Sequence, residues 1–168
     1  MNKAKPLPGS EISLLPATWR DLRDVHKLEK ACFQRDAWPL LDILGALTIP
    51  QIIRIKAQDG EKLIGFIAAD LRRAQATAWI ATLAVLPGYR RKGIGSRLLE
   101  KCEEEIHLPL IKLCVRQNNQ PAIQLYHKHG YQQVDTWKKY YRGGDDALVF
   151  EKVIHSAQRP GSSGPQSD

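Results

Sequence analysis

Residues 85–99, VLPGYRRKGIGSRLL, set three consecutive cations before two glycines, between an apolar run and a helical pattern. The preceding stretch, WIATLAVL (79–86), is continuously apolar, as expected of a strand buried on both faces. In the residues that follow, apolar side chains recur at helical spacing opposite a charged face: Ile94, Leu98, Leu99, Cys102 and Ile106. The stretch therefore predicts a strand, a basic glycine loop and a helix in the middle of the chain.

The glycine loop (residues 90–96) has three competing interpretations: a solvated basic turn, a nucleic-acid patch that includes Arg72 and Arg73, or a phosphate cradle. A helix start offers backbone N–H groups without helical partners and the positive end of the helix dipole. Glycine there lets an anion approach the backbone closely. Two common phosphate motifs fail, because GxxxxGK[ST] is absent and the third position of GxGxxG is Leu98.

The bulk properties describe one ordinary globular unit with an excess of positive charge. The 168 residues are 43% hydrophobic and carry a net charge of +7, which favours an anionic partner without identifying it. We expect a loose N-terminus over residues 1–10, one domain over 11–154 and a disordered tail over 155–168, which is rich in Ser, Gly and Pro. The spacing of Cys32, Cys102 and Cys114 predicts neither disulfides nor a metal site. Together with the lack of a signal peptide or membrane span, it predicts a cytoplasmic protein.

Local signals predict the element order β-α-α-β-β-β-α-β-α-β-β, a mixed α/β sheet. Asp59 and Gly60 form a hairpin signal between two apolar stretches. Pro121 and Gly130 bracket a helix in the positions that these residues prefer. We expect the last two strands in YQQVDTWKKYY (131–141) and ALVFEKVI (147–154).

Two motifs in the correct order resemble the GNAT superfamily of N-acetyltransferases. Arg90, Gly93 and Gly95 match its acetyl-CoA pattern [Q/R]-x-x-G-x-[G/A]. The stretch LCVRQNNQPAIQLYHKHGY (113–131) matches L-x-V-x-x-x-N-x-x-A-x-x-L-Y-x-K-x-G-[FY]. The resemblance spans roughly residues 11–154 and implies the GNAT fold, a mostly antiparallel mixed sheet with a central acetyl-CoA motif of strand, loop and helix. CFQRDAWP (32–39) and KKYYRGGDDALVFEK (138–152) resemble the branch that acetylates protein N-termini, including ribosomal-protein alanine acetyltransferases.

The resemblance implies acetyl-CoA as the acyl donor and gives roles to several residues. Backbone N–H groups of the glycine loop would hold the pyrophosphate: Arg90, Arg91, Lys92, Gly93, Ile94, Gly95 and Ser96. The pantetheine arm would lie between the strand residues Leu83, Ala84 and Val85 and the side chain of Asn119. Lys128 would lie near the outer phosphates, and Tyr126 would bind the cofactor and give a proton to the leaving sulfur.

The acceptor side has candidate residues but no clear proton acceptor. Phe33, Trp38, Tyr140 and Tyr141 would flank the first residues of a peptide. Cys114 stands where the branch often has a Glu or His base, and Trp79 where some relatives have a Tyr. Three explanations stay open: a water chain to bulk solvent or a distant carboxylate, another acidic residue, or an amine that arrives neutral. An acyl intermediate on Cys114 is a further alternative.

Two other function classes compete with protein N-terminal acetylation. A small cationic amine could be the acceptor, with acidic residues to receive it at Asp36, Asp42, Asp145 and Asp146. A binding module that holds acetyl-CoA without catalysis is the other class. Nucleic-acid binding as the primary function is disfavoured, because the basic patch has no recognised nucleic-acid fold or interleaved aromatics. No membrane partner is expected.

Overall fold

The computed structural model describes residues 12–154, so the expected loose N-terminus and disordered tail lie outside the described residues. The element order is the one predicted from the sequence. The helices are α1 (Leu22–Phe33), α2 (Leu40–Thr48), α3 (Ile94–Glu105) and α4 (Gln120–Lys128). The strands are β1 (Ser13–Pro16), β2 (Ile52–Asp59), β3 (Lys62–Arg72), β4 (Thr77–Val85), β5 (Leu110–Arg116), β6 (Gln132–Trp137) and β7 (Ala147–Val153).

The described strands form one seven-stranded sheet in the order β1-β2-β3-β4-β5-β7-β6. β4 and β5 are parallel, and the other five neighbouring pairs are antiparallel. The predicted hairpin between β2 and β3 is present, with Asp59 paired to Lys62 and Gly60 at φ 58°. The predicted mixed, mostly antiparallel sheet is therefore confirmed.

Helices cover both faces of the sheet and divide the core into two parts. On one face, α3 buries Leu98, Leu99 and Cys102 against strand residues such as Ile67. On the other face, α1 and α2 bury Val25, Leu28, Ile43 and Leu47 against Phe66, Ala68 and Ala84. The helix α3 connects the two parallel strands, as such a pair requires a crossover connection.

The signals at both ends of α4 act as predicted. Pro121 lies in the first turn of the helix, as predicted. Asn119 precedes the helix, and its side-chain oxygen accepts a hydrogen bond from the N–H of Ala122 at 3.3 Å, a cap that was not predicted. Gly130 has φ 83°, and the N–H of Tyr131 donates to the carbonyl of Tyr126 at 3.0 Å. This left-handed ending is the one that glycine permits at low cost.

The prediction that a strand continues through residue 141 is wrong, because β6 ends at Trp137. The carboxylate of Asp146 accepts hydrogen bonds from the Lys139 N–H at 2.9 Å and from Lys138 Nζ at 2.7 Å. Lys139 adopts φ 53°, which no strand contains. The short contacts to Asp146 therefore replace the sheet pairing and turn residues 138–146 into a loop beside the cleft described below.

Candidate active site

A cleft opens where the two parallel strands separate. β4 and β5 pair only from Thr77 with Leu110 to Ile80 with Leu113. Beyond that point both strands continue, over residues 81–85 and 114–116, without pairing to each other. The register between β3 and β4 also shifts there, with one extra residue at Ala81, and such bulges bend a strand and increase its twist. The cleft has a volume of about 150 Å³.

The N-terminus of α3 lies beside the end of β4, where a Cβ on Gly95 would be 4.0 Å from Val85. Its first helical hydrogen bond runs from the Arg97 N–H to the Gly93 carbonyl at 3.0 Å. The N–H groups of Ile94, Gly95 and Ser96 precede that bond, so they are the donors that a helix leaves for an outside acceptor. Arg91 at φ 61° and Gly93 at φ 78° lie in the left-handed region. Backbone of this kind forms anion-binding concavities.

Three side-chain contacts hold the glycine loop against its surroundings. Arg90 donates from Nε to the Val85 carbonyl at 3.0 Å. The Tyr89 hydroxyl donates to Asp59 at 2.9 Å. The hydroxyl of Ser96 lies 3.0 Å from His129 Nε2 of α4. Arg91, Lys92 and Lys128 are all exposed, so the structure places their charges in solvent around the loop.

The end of β4 presents backbone to the cleft. Leu83, Ala84 and Val85 pair on one side with Ile67, Phe66 and Gly65 of β3. The Leu86 N–H also bonds to β3, at the carbonyl of Ile64. Because backbone groups alternate between the two sides of an antiparallel strand, those of Leu83 and Val85 face away from β3, and Leu83 lines the cleft. This strand edge can pair with an extended ligand.

Tyr126 lies in the cleft wall and carries a proton at neutral pH. Its ring packs against Tyr131 and Phe150, with centroids 5.7 Å and 6.4 Å away. Burial raises the pKa of the Tyr126 phenol, and the nearby Tyr141 adds to the effect. A phenol held in this state can donate a proton but cannot accept one.

Cys114 also lines the cleft, from β5. Burial raises the pKa of its thiol to about 11. At neutral pH the group is therefore a protonated thiol, which is neither a base nor a strong nucleophile. Cys114 therefore lies in the cleft, but the structure does not give it the properties of a base.

Glu29 is a cleft residue that our sequence analysis did not identify. Its side chain is 1% exposed, and its carboxylate accepts hydrogen bonds from the Thr82 hydroxyl at 2.7 Å and from the Trp38 N–H at 3.5 Å. Burial raises the pKa of Glu29, although the hydrogen bonds from Thr82 and Trp38 act in the opposite direction. A sequence signal existed, since Glu29 falls on the same helical face as Val25, Leu28 and Cys32.

Arg116 joins the two segments that flank the open side of the cleft, and it was also missed. Its guanidinium forms ion pairs with Asp36, which lies between α1 and α2, and with Asp145, which lies between β6 and β7. The same group lies over the ring of Tyr141, 4.4 Å from the centroid. The two flanking segments are therefore held at a fixed separation by one side chain.

Of the four predicted acceptor-side residues, the cleft lining contains Phe33, Trp38 and Tyr141. Tyr140 is 54% exposed and lies next to Tyr141, with ring centroids 5.1 Å apart. Trp137 packs against Tyr140 at 5.4 Å and against Trp79 at 5.9 Å. Aromatic rings thus continue from the cleft across the neighbouring surface.

The described residues contain no group of three or more His, Cys, Asp or Glu side chains placed to hold a metal ion. Within the same part of the chain, no helix is long and apolar enough to cross a membrane.

Comparison with known proteins finds relatives that align along most of this chain. N-alpha-acetyltransferase RimI of Mycobacterium tuberculosis is 31% identical over 145 residues, covering 84% of this chain and 92% of that protein. The fold resembles the ribosomal-protein-S18-alanine N-acetyltransferase of Escherichia coli, with a TM-score of 0.78 at 21% identity over 90% of this chain and 99% of the other. It also resembles NAA60 of Arabidopsis thaliana in complex with acetyl-CoA, with a TM-score of 0.75 at 22% identity over 86% of this chain and 99% of the other.

The Acetyltransferase (GNAT) family matches residues 19–131, which include the glycine loop and the described cleft-lining residues except Tyr141. With the relative that aligns along nearly its whole length, this match confirms the family expected from the motifs. The chain therefore belongs to the GNAT family of acyl-CoA-dependent acetyltransferases.

Proposed function

We propose that this protein moves the acetyl group of acetyl-CoA directly to the α-amine of a protein N-terminus. The observation that carries the proposal is the 31% identity to a relative named N-alpha-acetyltransferase, which this chain covers over 92% of its length. The acceptor residues of the cleft, described below, support the same conclusion.

Acetyl-CoA fits the residues that surround the cleft. A Cβ on Gly93 would meet nothing within 4 Å, so the space beside the loop is open to a phosphate. The N–H groups of Ile94, Gly95 and Ser96 would hold the pyrophosphate, with the exposed cations nearby. The backbone of Leu83 and the N–H of Val85 would pair with the pantetheine amides, whereas the Val85 carbonyl is already bonded by Arg90 and Cys32. The side chain of Asn119 uses its oxygen on Ala122, which leaves its NH₂ group to donate from the opposite wall.

Acetyl-CoA supplies a thioester whose carbonyl carbon an amine can attack. Two tasks then fall to the protein: the amine must be neutral when it attacks, and the departing sulfur must gain a proton. Tyr126 suits the second task, because its phenol lies in the cleft wall and its raised pKa keeps it protonated. Cys114 does not suit the first task, because its thiol stays protonated at neutral pH.

The acceptor side fits a peptide better than a small cation. Three of the four carboxylates that could have received a cationic amine are already paired in the structure. Asp36 and Asp145 pair with Arg116, and Asp146 pairs with Lys138. The cleft opening instead has the aromatic side chains Phe33, Trp38 and Tyr141, which suit the first side chains of a polypeptide.

A ribosomal protein as acceptor and a cytoplasmic location form part of the same proposal. Ribosomal-protein alanine is named for the structurally similar enzyme of Escherichia coli. The three cysteines are free thiols, which supports a reducing compartment.

The test is release of coenzyme A thiol from acetyl-CoA with a short peptide that begins with Ala. The matched control is the same peptide with its amino group blocked. We expect release with the free peptide only. Equal release with both peptides, or release with polyamines and amino acids but not with the free peptide, would contradict the proposed acceptor.

A further inference from the structure

The acceptor's ammonium must lose a proton before its nitrogen attacks, and the expected position of the base on β5 holds only Cys114. The titratable groups in the described cleft lining are Glu29, Asp36, Cys114, Arg116, Tyr126 and Tyr141. The pKa values of the Cys114 thiol and the Tyr141 phenol are raised to about 11 and about 12, chiefly by burial, and that of Tyr126 is also raised. None of the three accepts a proton at neutral pH.

The two remaining carboxylates differ in their partners. Asp36 forms an ion pair with Arg116 and serves to join the cleft walls. Glu29 has uncharged donors, the Thr82 hydroxyl and the Trp38 N–H, and its long 3.5 Å contact with Trp38 leaves one oxygen weakly held. A carboxylate that is 1% exposed is costly to keep ionised without a positive partner. Such a carboxylate either pairs with a cation or becomes neutral by accepting a proton.

We propose that Glu29 binds the α-ammonium of the acceptor and accepts its proton, with Thr82 holding the carboxylate in place. The inference rests on the proposed function, which supplies the amine. Thr82 is suited to positioning because its hydroxyl bonds Glu29 at 2.7 Å from the strand that forms the cofactor side of the cleft. α1 and β4 thus contribute one functional pair from residues 53 apart in the chain.

The proton count balances with groups already in the cleft. The ammonium gives one proton to Glu29, and the nitrogen lone pair then forms the C–N bond as the thioester C–S bond breaks. The sulfur takes the phenol proton of Tyr126, and the second surplus proton of the nitrogen restores that phenol. Glu29 finally releases its proton to water, so the net products are the acetylated amine, the free thiol and one proton.

Other charged groups near Glu29 must be included in any reading of a pH profile. Cys32, on the same helix, has its thiol pKa raised by burial, and the negative charge of Glu29 adds to the increase. Arg90 approaches Cys32 from the glycine loop and lowers that pKa. Asp36 and Arg116 face the cleft as an ion pair from the α1–α2 segment and β5. None of these residues is substituted in the variants used below, but Glu29→Gln removes the negative charge that raises the pKa of Cys32.

Glu29→Gln keeps the shape of the side chain and removes the proton acceptor. We expect kcat to fall by about 100-fold or more, the usual contribution of a general base, with acetyl-CoA affinity unchanged in calorimetry. The rise of kcat/KM with pH that reports ionisation of Glu29 should disappear. A merely structural role would lower activity without removing that rise.

Thr82→Val and Thr82→Ser form the matched pair, since only the serine retains the hydroxyl. The hydrogen bond from Thr82 lowers the pKa of Glu29, so its loss should move the acid limb of kcat/KM to higher pH in Thr82→Val and leave it in place in Thr82→Ser. This pair decides the question even if Glu29→Gln fails to fold.

Wild-type kcat in Glu29→Gln, or an acid limb that both Glu29→Gln and Thr82→Val leave unmoved, would overturn the inference. The wild type, assayed first with free and blocked peptides, separates this failure from that of the proposed function. If the wild type acetylates the free peptide but not the blocked one, and the kinetics of the Glu29 and Thr82 variants equal those of the wild type, only the proposed role of Glu29 is wrong. Turnover of another primary amine removes the proposed acceptor, and the same variants are then assayed with that amine. A wild type that acetylates no amine overturns both.

Discussion

Replacement of Arg116 by Ala should loosen both flanks of the cleft at once. The guanidinium pairs with Asp36 and Asp145 and covers the Tyr141 ring at 4.4 Å. Without it, two carboxylates from different segments face the same space with no positive charge between them. The loss is one of geometry as well as of stability, because the α1–α2 segment and the β6–β7 loop are then no longer linked.

The magnitude follows from the burial of the pair. A hydrogen bond to a charged group contributes about 1.5–3 kcal/mol when buried, and exposed ion pairs contribute about 0–1 kcal/mol. The side chains of Arg116 and Asp36 are 24% and 19% exposed, whereas Asp145 is 38% exposed. The pair with Asp36 therefore contributes nearly the value of a buried pair to the free energy of unfolding, and the pair with Asp145 contributes less, for roughly 2–3 kcal/mol in total. For a chain of this length that lowers Tm by about 5–10 °C.

The assay combines thermal unfolding with steady-state kinetics. We expect the KM of the peptide to rise about tenfold, equivalent to about 1.4 kcal/mol, while the KM of acetyl-CoA stays unchanged. Lys101→Ala is a matched control, because it removes an exposed pair with Glu104 on α3 and should leave both Tm and KM unaltered. A Tm within 1–2 °C of wild type with an unchanged peptide KM would refute the proposed role of Arg116.

Four further predictions follow from the same geometry. Gly93→Val should weaken acetyl-CoA binding about tenfold or more, because a side chain at φ 78° costs about 1–2 kcal/mol and favours another loop conformation. Gly95→Ala should bind acetyl-CoA normally in the same calorimetric titration, since its Cβ would lie at an ordinary contact distance of 3.6 Å from Leu125. Tyr126→Phe should lower kcat by about 100-fold with little change in KM, whereas a loss confined to KM would exclude proton donation. Cys114→Ala should retain the wild-type kcat, because the account places no acyl intermediate on the Cys114 thiol. A folded but inactive variant would instead support an acyl-cysteine. Gly65→Ala should destabilise the fold by about 1–3 kcal/mol in denaturant titration, since its Cβ would lie 2.9 Å from Leu98, and unchanged stability would show that Leu98 can move aside.

Local signals were sufficient for most of the fold. The Asp59 and Gly60 turn, the Pro121 and Gly130 helix ends and the strand β4 each depend on neighbouring residues, and the structure has all of them. The prediction that this strand is buried on both faces is wrong at Ala81, which is exposed just beyond the point where β4 separates from β5. The end of β6 was misjudged because it depends on Asp146, whose carboxylate returns to bond the Lys139 N–H from seven residues away. Alternating apolar residues alone do not indicate that competing contact.

The candidate site likewise has parts that neighbouring residues indicate and parts that only distant contacts create. The glycine loop and Tyr126 lie within contiguous motifs and could be located from the sequence. Arg116 meets Asp36 across 80 residues of chain, and Glu29 meets Thr82 across 53, so neither pair has a local signature. A single signal was available: Glu29 interrupts the apolar face of α1, and a buried acid on such a face requires a partner or a task.

The most direct test of the account is to locate the acetyl group on the product. A peptide that begins with Ala and contains an internal Lys is incubated with the protein and acetyl-CoA, and the product is sequenced by tandem mass spectrometry. We predict acetylation of the α-amine alone, with the lysine side chain unmodified. Acetyl groups on the lysine but not on the N-terminus would contradict the proposal that the cleft receives a protein N-terminus.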